Sequence, residues 1–270
     1  MLWETAELIH FASDAIDADT LVVAVSQSGE TAEILALLEK LPLRQPLLGV
    51  TNVAESTLGR RATVALEMGA QRSDYASSQT FVNSRALLLA IARLAQGEVL
   101  EAFLAATEEA ADALESTLAD SFARSDVAIG RHAHLVFLAR GPSLAAAQQA
   151  ALMFHEVAAR GAAAMSAAAF RHGPLEMAGP SLQAVLLLPY GPTAKLVENL
   201  GDELERFGAR VLRIADVRLG AGHFRHPPVE EELAPLVNIA PLQALAHRSA
   251  LALGREPGAF RQGDSVTRTE

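Results

Sequence analysis

The sequence predicts an α/β protein with parallel sheets covered by helices, and two observations support this fold class. Apolar runs of four to six residues alternate with longer stretches in which apolar residues recur at helical spacing. The order strand, turn and helix also occurs twice, starting near residue 21 and again near residue 185. With 270 residues, half of them hydrophobic, the chain can bury a sizeable core in one or two domains.

Six apolar segments fit buried strands, and five longer segments fit helices. The predicted strands are Leu21–Val25, Leu47–Val50, Val64–Leu66, Leu135–Ala139, Val185–Leu188 and Val211–Ile214. The predicted long helices are Ser78–Ala95, Glu98–Phe122, Leu144–Ala159, Ala194–Phe207 and Leu242–Leu253. A shorter helix is expected directly after the first strand, over Thr31–Leu38.

The two halves of the chain resemble each other but begin differently. The second half has a strand, Leu135–Ala139, and a full helix before its paired strand, whereas only twenty residues precede Leu21. We therefore predict two domains, 1–124 and 125–270. We also predict that the sheet of the first domain lacks an opening strand and is short by one strand relative to the second.

The composition argues against several classes of partner and chemistry. The formal net charge is −10 without a clustered basic stripe, so we expect no nucleic-acid partner. The chain has no cysteine, which excludes disulfides, thiolate metal sites and a cysteine nucleophile and fits a cytoplasmic location. The start at Met1 shows no signal-peptide pattern, and the apolar runs are too short to span a bilayer.

The most informative stretch is the turn Ser26-Gln27-Ser28-Gly29-Glu30-Thr31, which follows the first predicted strand and opens a helix. The free N–H groups and the dipole at a helix start favour an anion. Three hydroxyl groups, from Ser26, Ser28 and Thr31, and the Gln27 amide add neutral donors. The pattern predicts a phosphate monoester site, and an ordinary capped helix remains the alternative.

Two further motifs follow that turn along the chain. They are Phe170-Arg171-His172-Gly173-Pro174 and the ending Val266-Thr267-Arg268-Thr269-Glu270. Together with Ser26–Thr31 they resemble the double sugar-isomerase-domain (SIS) family. That family includes the isomerase part of glucosamine-6-phosphate synthase and related phosphosugar isomerases and deaminases. The resemblance implies two flavodoxin-like three-layer αβα units, packed as a pseudo-symmetric pair, and usually a dimer.

The resemblance also implies roles for particular residues. It places the phosphate loop on Ser26, Gln27, Ser28 and Thr31, and a sugar-binding stretch on Ala76-Ser77-Ser78-Gln79, where Ser77 and Gln79 are the contacts. The catalytic glutamate of the family falls on Glu156, and its ring-opening histidine falls sixteen residues later on His172. Three family lysines are replaced: Gln79, Met153 and Asp264 stand at their positions.

The residues themselves suit aldose–ketose chemistry, which needs a base at C1 and C2 and an acid–base group that opens the ring. Apolar neighbours on a helix should raise the pKa of Glu156 towards a useful range. His172 precedes Gly-Pro in a turn and can exchange a proton near neutral pH. The alternatives are a solvated glutamate on a helix face and a structural turn histidine.

Other titratable residues receive less specific interpretations. His155 is expected to be a packing or surface residue, and Glu230-Glu231-Glu232 a charged helix start. His223 and His226 lie in a Gly/Pro-rich stretch without a carboxylate at ligand spacing, so a solvated loop is expected rather than a metal site. No cofactor is expected.

The sequence therefore predicts a phosphosugar isomerase or an isomerising deaminase that acts on a hexose or hexosamine 6-phosphate. A non-catalytic phosphosugar-binding sensor is the alternative, favoured by the lost lysines. The chain carries no cysteine nucleophile to release ammonia from glutamine. In the resembled family the histidine turn reaches the partner's site, so we expect a homodimer with shared active sites. The uncharged, small-residue stretch 161–169 fits such an interface.

Overall fold

The computed structural model describes residues 1–71, 76–124, 126–130, 134–259 and 266–268. The chain divides into two compact units, Met1–Ile91 together with the C-terminal tail, and Ala92–Ala259. Every strand pair in the described sheets is parallel, which confirms the predicted α/β class. The domain division at residues 124 and 125 stays a prediction. None of the helices in these ranges has the length and apolar character needed to cross a membrane.

The first unit contains a three-stranded sheet in the order β1-β2-β3. Its elements, in chain order, are α1 (Thr5–Phe11), β1 (Val22–Val25), α2 (Ala32–Lys40), β2 (Leu47–Thr51), α3 (Thr57–Arg61) and β3 (Val64–Glu67). The helix α4 (Gln79–Ala95) then carries the chain into the second unit. The core joins alternate strand residues to the apolar stripe of α2, and its members include Val22, Ala24, Ile34, Leu37, Leu47 and Leu58.

The second unit contains a five-stranded sheet in the order β5-β4-β6-β7-β8. Its elements are α5 (Leu100–Ala123), β4 (His134–Ala139), α6 (Leu144–Ala158), β5 (Ala162–Ser166), α7 (Ala167–Phe170), β6 (Leu182–Leu188), α8 (Ala194–Arg206), β7 (Arg210–Asp216), β8 (Phe224–His226) and α9 (Ala234–Ala252). Every residue of β6 is buried, as expected for a central parallel strand with both faces covered. The helix α9 packs against both α5 and α6.

All six predicted strands are present, but two further strands were not expected. These are β5 and β8, both at edges of the second sheet, so the first sheet is short by two strands rather than one. The segment before β1 forms α1 and a short 3-10 turn, Ser13–Ala15. The last helix begins at Ala234, well before the expected Leu242. It contains Pro235 in its first turn, where proline is tolerated, and Pro241 in its interior.

The prediction of a solvated loop around His223 and His226 is wrong. His226 is fully buried in β8, and its ring Nδ1 lies 2.8 Å from the carbonyl oxygen of Pro227. The Nδ1 of His223 accepts a hydrogen bond of 3.1 Å from the backbone N–H of Arg213. Pairing with β7 orders this short segment, which the flanking glycines and prolines obscure in the sequence.

Candidate functional site

The turn Ser26–Thr31 connects β1 to α2 and is held by its own hydroxyl groups. Ser26 Oγ accepts a hydrogen bond of 3.2 Å from the N–H of Gly29, and Ser28 Oγ accepts one of 3.2 Å from Glu30. Each oxygen acts as an acceptor inside the turn, so each hydroxyl hydrogen can still be donated to a ligand. Ser26 is buried, while Gln27, Ser28 and Thr31 are half-buried.

The start of α2 departs from an ordinary capped helix. Thr31 is the N-cap residue, but its side chain makes no capping hydrogen bond, so its hydroxyl is not used by the helix. The N–H of Ala32 donates to the carbonyl oxygen of Thr267 at 3.0 Å. The tail segment 266–268 therefore lies against the first turn of this helix and takes one of the amides that an anion could use.

The loop after β2 supports the turn from behind. The carbonyl oxygen of Gln27 accepts hydrogen bonds from the N–H of Asn52 at 2.9 Å and from Thr51 Oγ1 at 3.2 Å. Gly29 has φ +66°, and a Cβ there would overlap Ser56 Oγ and lie 2.6 Å from Ser56 Cβ. Glycine is required here both for the backbone conformation and for this close approach.

Asn52 connects this loop to the loop after β3. Its Nδ2 donates to the carbonyl oxygen of Ala70 at 2.8 Å, and its Oδ1 accepts from the N–H of Ala70 at 2.8 Å. Asn52 was not singled out from the sequence. The available signal was its position directly after a buried strand, at the same sheet edge as Ser26–Thr31.

The stretch Ala76–Gln79 lies at the start of α4, after β3. The Oε1 of Gln79 accepts a hydrogen bond of 2.9 Å from the N–H of Gln71, and Ser77 Oγ forms a short hydrogen bond with Thr80 Oγ1. Because the carboxyl ends of parallel strands meet at one edge, the turn after β1 and this stretch lie at the same edge of the first sheet. The two predicted phosphosugar-binding segments are thus on one side of the unit.

Glu156 lies in the last turn of α6, in the second unit, and is half-buried. Burial raises the pKa of Glu156, the direction expected for a proton-transfer base, while the nearby His155 acts in the opposite direction. The Nε2 of His155 contacts the backbone of Ala162, at 2.9 Å from its oxygen and 3.2 Å from its nitrogen. Met153 faces the core and is 3% exposed.

His172 lies in an exposed turn that follows α7. Phe170, 1% exposed, fixes the turn in the core, and the side chain of Arg171 pairs with Glu203 at 2.6 Å. Ser166 Oγ caps α7 by accepting from the N–H of Ala169 at 3.0 Å. His172 therefore lies in a turn that Phe170 and Arg171 hold in place, and its side chain is exposed to solvent.

Glu156 and His172 of one chain lie towards opposite ends of β5. The contact between His155 and Ala162 places the end of α6 beside the start of β5. His172 follows the helix that begins after Ser166, the last residue of that strand. From Ala162 to Ser166 the strand β5 extends over about 13 Å. From these positions we expect the two side chains of one chain to lie apart.

The turn after β6, which matches Ser26–Thr31 in the internal repeat, is occupied by a carboxylate of the protein. A Cβ at Gly191 would lie 2.6 Å from Glu231 Cδ, and a Cβ at Gly141 would lie 3.5 Å from Glu231 Oε1. The negative charge of Glu231 disfavours a second anion at this point. The anion site predicted for Ser26–Thr31 therefore has no counterpart expected at this turn.

The described ranges contain no group of three or more His, Cys, Asp or Glu side chains that could hold a metal ion. Asp264, which stands at the position of a family lysine, lies outside the described residues.

The fold and these motifs agree with a known family. The family model described as SIS domain matches residues 3–95 and 129–246. The chain belongs to the SIS domain family. An isomerizing glutamine–fructose-6-phosphate aminotransferase of Thermococcus kodakarensis is 30% identical over 271 residues, which cover 94% of this chain and 45% of that protein. This SIS chain thus spans less than half the length of that relative.

Two solved structures show the same fold. A glucosamine-6-phosphate deaminase of Thermotoga maritima superposes with a TM-score of 0.81 at 20% identity, over 98% of this SIS chain and 80% of that chain. A tagatose-6-phosphate ketose/aldose isomerase of Escherichia coli superposes with a TM-score of 0.75 at 20% identity, over 94% of this chain and 74% of that chain.

Proposed function

We propose that this SIS protein is a phosphosugar isomerase or an isomerising deaminase that acts on a hexose or hexosamine 6-phosphate. The observation that carries the proposal is the turn Ser26–Thr31, where neutral donors gather at a helix start whose N-cap hydroxyl is unused. The names of the relatives support the reaction class, since they include isomerizing enzymes of sugar 6-phosphates.

In this proposal Ser26, Gln27, Ser28 and Thr31 hold the phosphate, and Glu156 moves a proton between C1 and C2 of the open-chain sugar. The carboxylate takes the proton from one carbon, which leaves an enediolate. The carboxylic acid returns that proton to the other carbon, and the hydroxyl proton of one oxygen passes to the other oxygen. Burial of Glu156 makes its carboxylate a stronger base and helps this transfer. The remaining acid–base step, ring opening, is assigned to His172.

A homodimer with shared active sites follows from the same assignment. Glu156 and His172 lie towards opposite ends of β5 within one chain, so their cooperation requires the histidine turn of a second copy. Apart from Met165, the residues from Gly161 to Ala169 all have small side chains. They include the edge strand β5 and most of α7, and small side chains allow the backbone of another chain to approach closely.

A non-catalytic phosphosugar sensor is the second candidate, and the surroundings of two residues favour it. Met153 is part of the core and carries no charge, and Gln79 uses its side-chain oxygen to hold the backbone of Gln71. Neither residue can supply the cation that the family lysines would bring to the sugar oxygens. Such a protein would bind the ligand and leave it unchanged.

The test combines binding with turnover. Thermal-shift titrations with fructose 6-phosphate, glucose 6-phosphate and glucosamine 6-phosphate should show stabilisation of the wild type, followed by product detection with each ligand that binds. The double variant Ser28→Ala, Thr31→Ala should lose about 3–6 kcal/mol of binding free energy. The control Ser84→Ala removes a hydroxyl that only bonds its own helix, to Phe81 O at 3.2 Å, and should bind normally.

The outcomes separate the two candidates. Turnover that is lost in Glu156→Gln but kept in Glu115→Gln, a substitution on the exposed face of α5, supports the enzyme. Binding without turnover supports the sensor. If no sugar phosphate stabilises the protein, or if the double variant binds as tightly as the wild type, the proposed phosphate site is wrong.

A further inference from the structure

A groove of about 570 Å³ in the second unit lies between the last turns of α5 and the edge strand β8. It is separate from the residues assigned above to phosphate binding and proton transfer. Its lining residues include Ser116, Ser121, Arg124, Arg225 and His226. The volume is in the range typical of small-molecule sites.

Two fully buried polar side chains of this groove have no hydrogen-bonding partner among the described residues. They are Ser121, whose Oγ is unpaired although the residue is 1% exposed, and His226, whose Nε2 is unpaired at 0% exposure. A buried polar atom without a partner costs free energy, so native structures rarely leave one without a reason. Here two such atoms belong to one groove.

The neighbouring hydroxyls of α5 behave differently. Thr117 Oγ1 donates to the carbonyl oxygen of Ala113 at 2.6 Å, and Ser116 Oγ donates to the same oxygen at 3.1 Å. These bonds to the preceding turn are the usual solution for a helical hydroxyl. Ser121 has no such bond and keeps both its donor and its acceptor capacity.

The hydrogen bond at Nδ1 defines what His226 offers to a ligand. The Pro227 carbonyl can only accept, so Nδ1 carries the ring hydrogen and Nε2 of the neutral ring is an acceptor. Burial lowers the pKa of His226, which keeps the ring neutral. The partner that suits this nitrogen is therefore a hydroxyl or another neutral donor.

The charges around the groove favour a single anionic group on the ligand. Arg124 and Arg225 carry two positive charges and Asp120 one negative charge, all among its lining residues. Asp126 pairs with Arg124 at 3.3 Å. Arg248, whose guanidinium donates to the carbonyl oxygen of Ser121, adds a third positive charge, so the net charge around the groove is positive. On the inner side of His226, Asp216 and Arg218 form their own ion pair through two short contacts and leave no net charge there.

We propose that this groove is a second ligand site, which binds a small polyhydroxylated anion of the sugar-phosphate or sugar-acid class. One hydroxyl of the ligand donates to His226 Nε2, another exchanges hydrogen bonds with Ser121 Oγ, and the anionic group lies on the arginine side. This site is additional to the proposed phosphosugar site in the first unit and does not depend on it.

The test is a residue-resolved NMR titration of the full chain, with glucose 6-phosphate, gluconate and uncharged glucose as three separate probes. We expect saturable shifts of the His226 ring and of amides in 116–124 and 224–227, stronger for the two anions than for glucose. Ser121→Ala should weaken the binding of all three about tenfold, and Arg225→Gln should weaken only the anions, also about tenfold. The matched control Arg210→Gln, an exposed arginine at the first residue of β7, should have no effect.

Ser121→Ala should not lower the unfolding free energy, because the removed hydroxyl has no hydrogen-bond partner in the part of the chain that the structure describes. Ser28→Ala combined with Thr31→Ala should leave the groove affinity unchanged, which separates this site from the first. Absence of saturable shifts in the groove, or affinities unchanged in both Ser121→Ala and Arg225→Gln, would overturn the proposal and leave water as the partner of these atoms.

Discussion

The substitution Gly29→Ala tests whether the turn Ser26–Thr31 depends on a close approach between its backbone and Ser56. Gly29 has φ +66°, and a Cβ would overlap Ser56 Oγ and lie 2.6 Å from Ser56 Cβ. Gly69 offers a matched control, because it has φ +65° and no atom within 4 Å of a Cβ built there. The two substitutions share the conformational strain and differ in the contact with Ser56.

The expected magnitudes follow from that difference. The left-handed conformation costs an alanine about 1–2 kcal/mol at either position. At Gly29 the new methyl group must also displace Ser56, whose Oγ caps α3 by accepting from the N–H of Gly59 at 3.1 Å. Loss of the cap costs about 1 kcal/mol, and overpacking adds about 1–3 kcal/mol. We expect Gly29→Ala to cost about 3–6 kcal/mol of unfolding free energy and Gly69→Ala about 1–2 kcal/mol.

Urea unfolding measures both values. The only tryptophan, Trp3, belongs to the first unit, so its fluorescence reports on the unit that contains both glycines. Adding Ser56→Gly to Gly29→Ala should recover at least about 1 kcal/mol, because glycine is a tolerable N-cap and removes the overlap. Equal losses in the two alanine variants, or no recovery with Ser56→Gly, would refute the packing argument.

Three further predictions concern the remaining site residues. Because burial raises the pKa of Glu156, folded stability should fall as the pH rises from the usual carboxylate range through that raised pKa. Glu156→Gln should therefore be more stable than the wild type at neutral pH but not in acid, as urea midpoints across pH would show. Asn52→Ala removes two hydrogen bonds to Ala70 and should cost about 1–3 kcal/mol in the same assay, with weaker sugar-phosphate binding. Mixing inactive Glu156→Gln with inactive His172→Ala should restore part of the activity through hybrid dimers; no recovery despite subunit exchange would contradict a shared site.

Strands with large β-branched or leucine side chains were predictable because their apolar runs are long and bounded by turns. The run at β6 shows this best, since all of its residues are buried. The edge strand β5, Ala162–Ser166, was missed because alanines favour helix and give no alternating pattern. The edge strand β8 has only three residues, in a segment bounded by Gly222 and Pro227, and its pairing with β7 defines it.

The same contrast between local and distant contacts applies to the candidate site. The turn Ser26–Thr31 was predictable because it follows a clear apolar strand and two of its own hydrogen bonds join residues two or three positions apart. The bond of Asn52 to Ala70 spans eighteen positions, and that of Ala32 to Thr267 joins the tail to a helix far away in sequence. No local sequence pattern indicates such pairs. The sequence therefore predicted where the strands end but not the hydrogen bonds that connect the loops after them.

The position of Met153 bears directly on the choice between enzyme and sensor. A lysine there would have its stem in the core and could place its amino group near a ligand only by extending past the neighbouring side chains. Methionine fills a similar volume in the core but has no amino group that could contact a ligand. If the chain is the proposed enzyme, its catalysis relies on neutral donors and on Glu156, whose pKa burial raises. The proposed phosphate site at Ser26–Thr31 likewise relies on neutral hydroxyls in an acidic chain, so the missing cations weaken the proposed enzyme function without removing its proposed base.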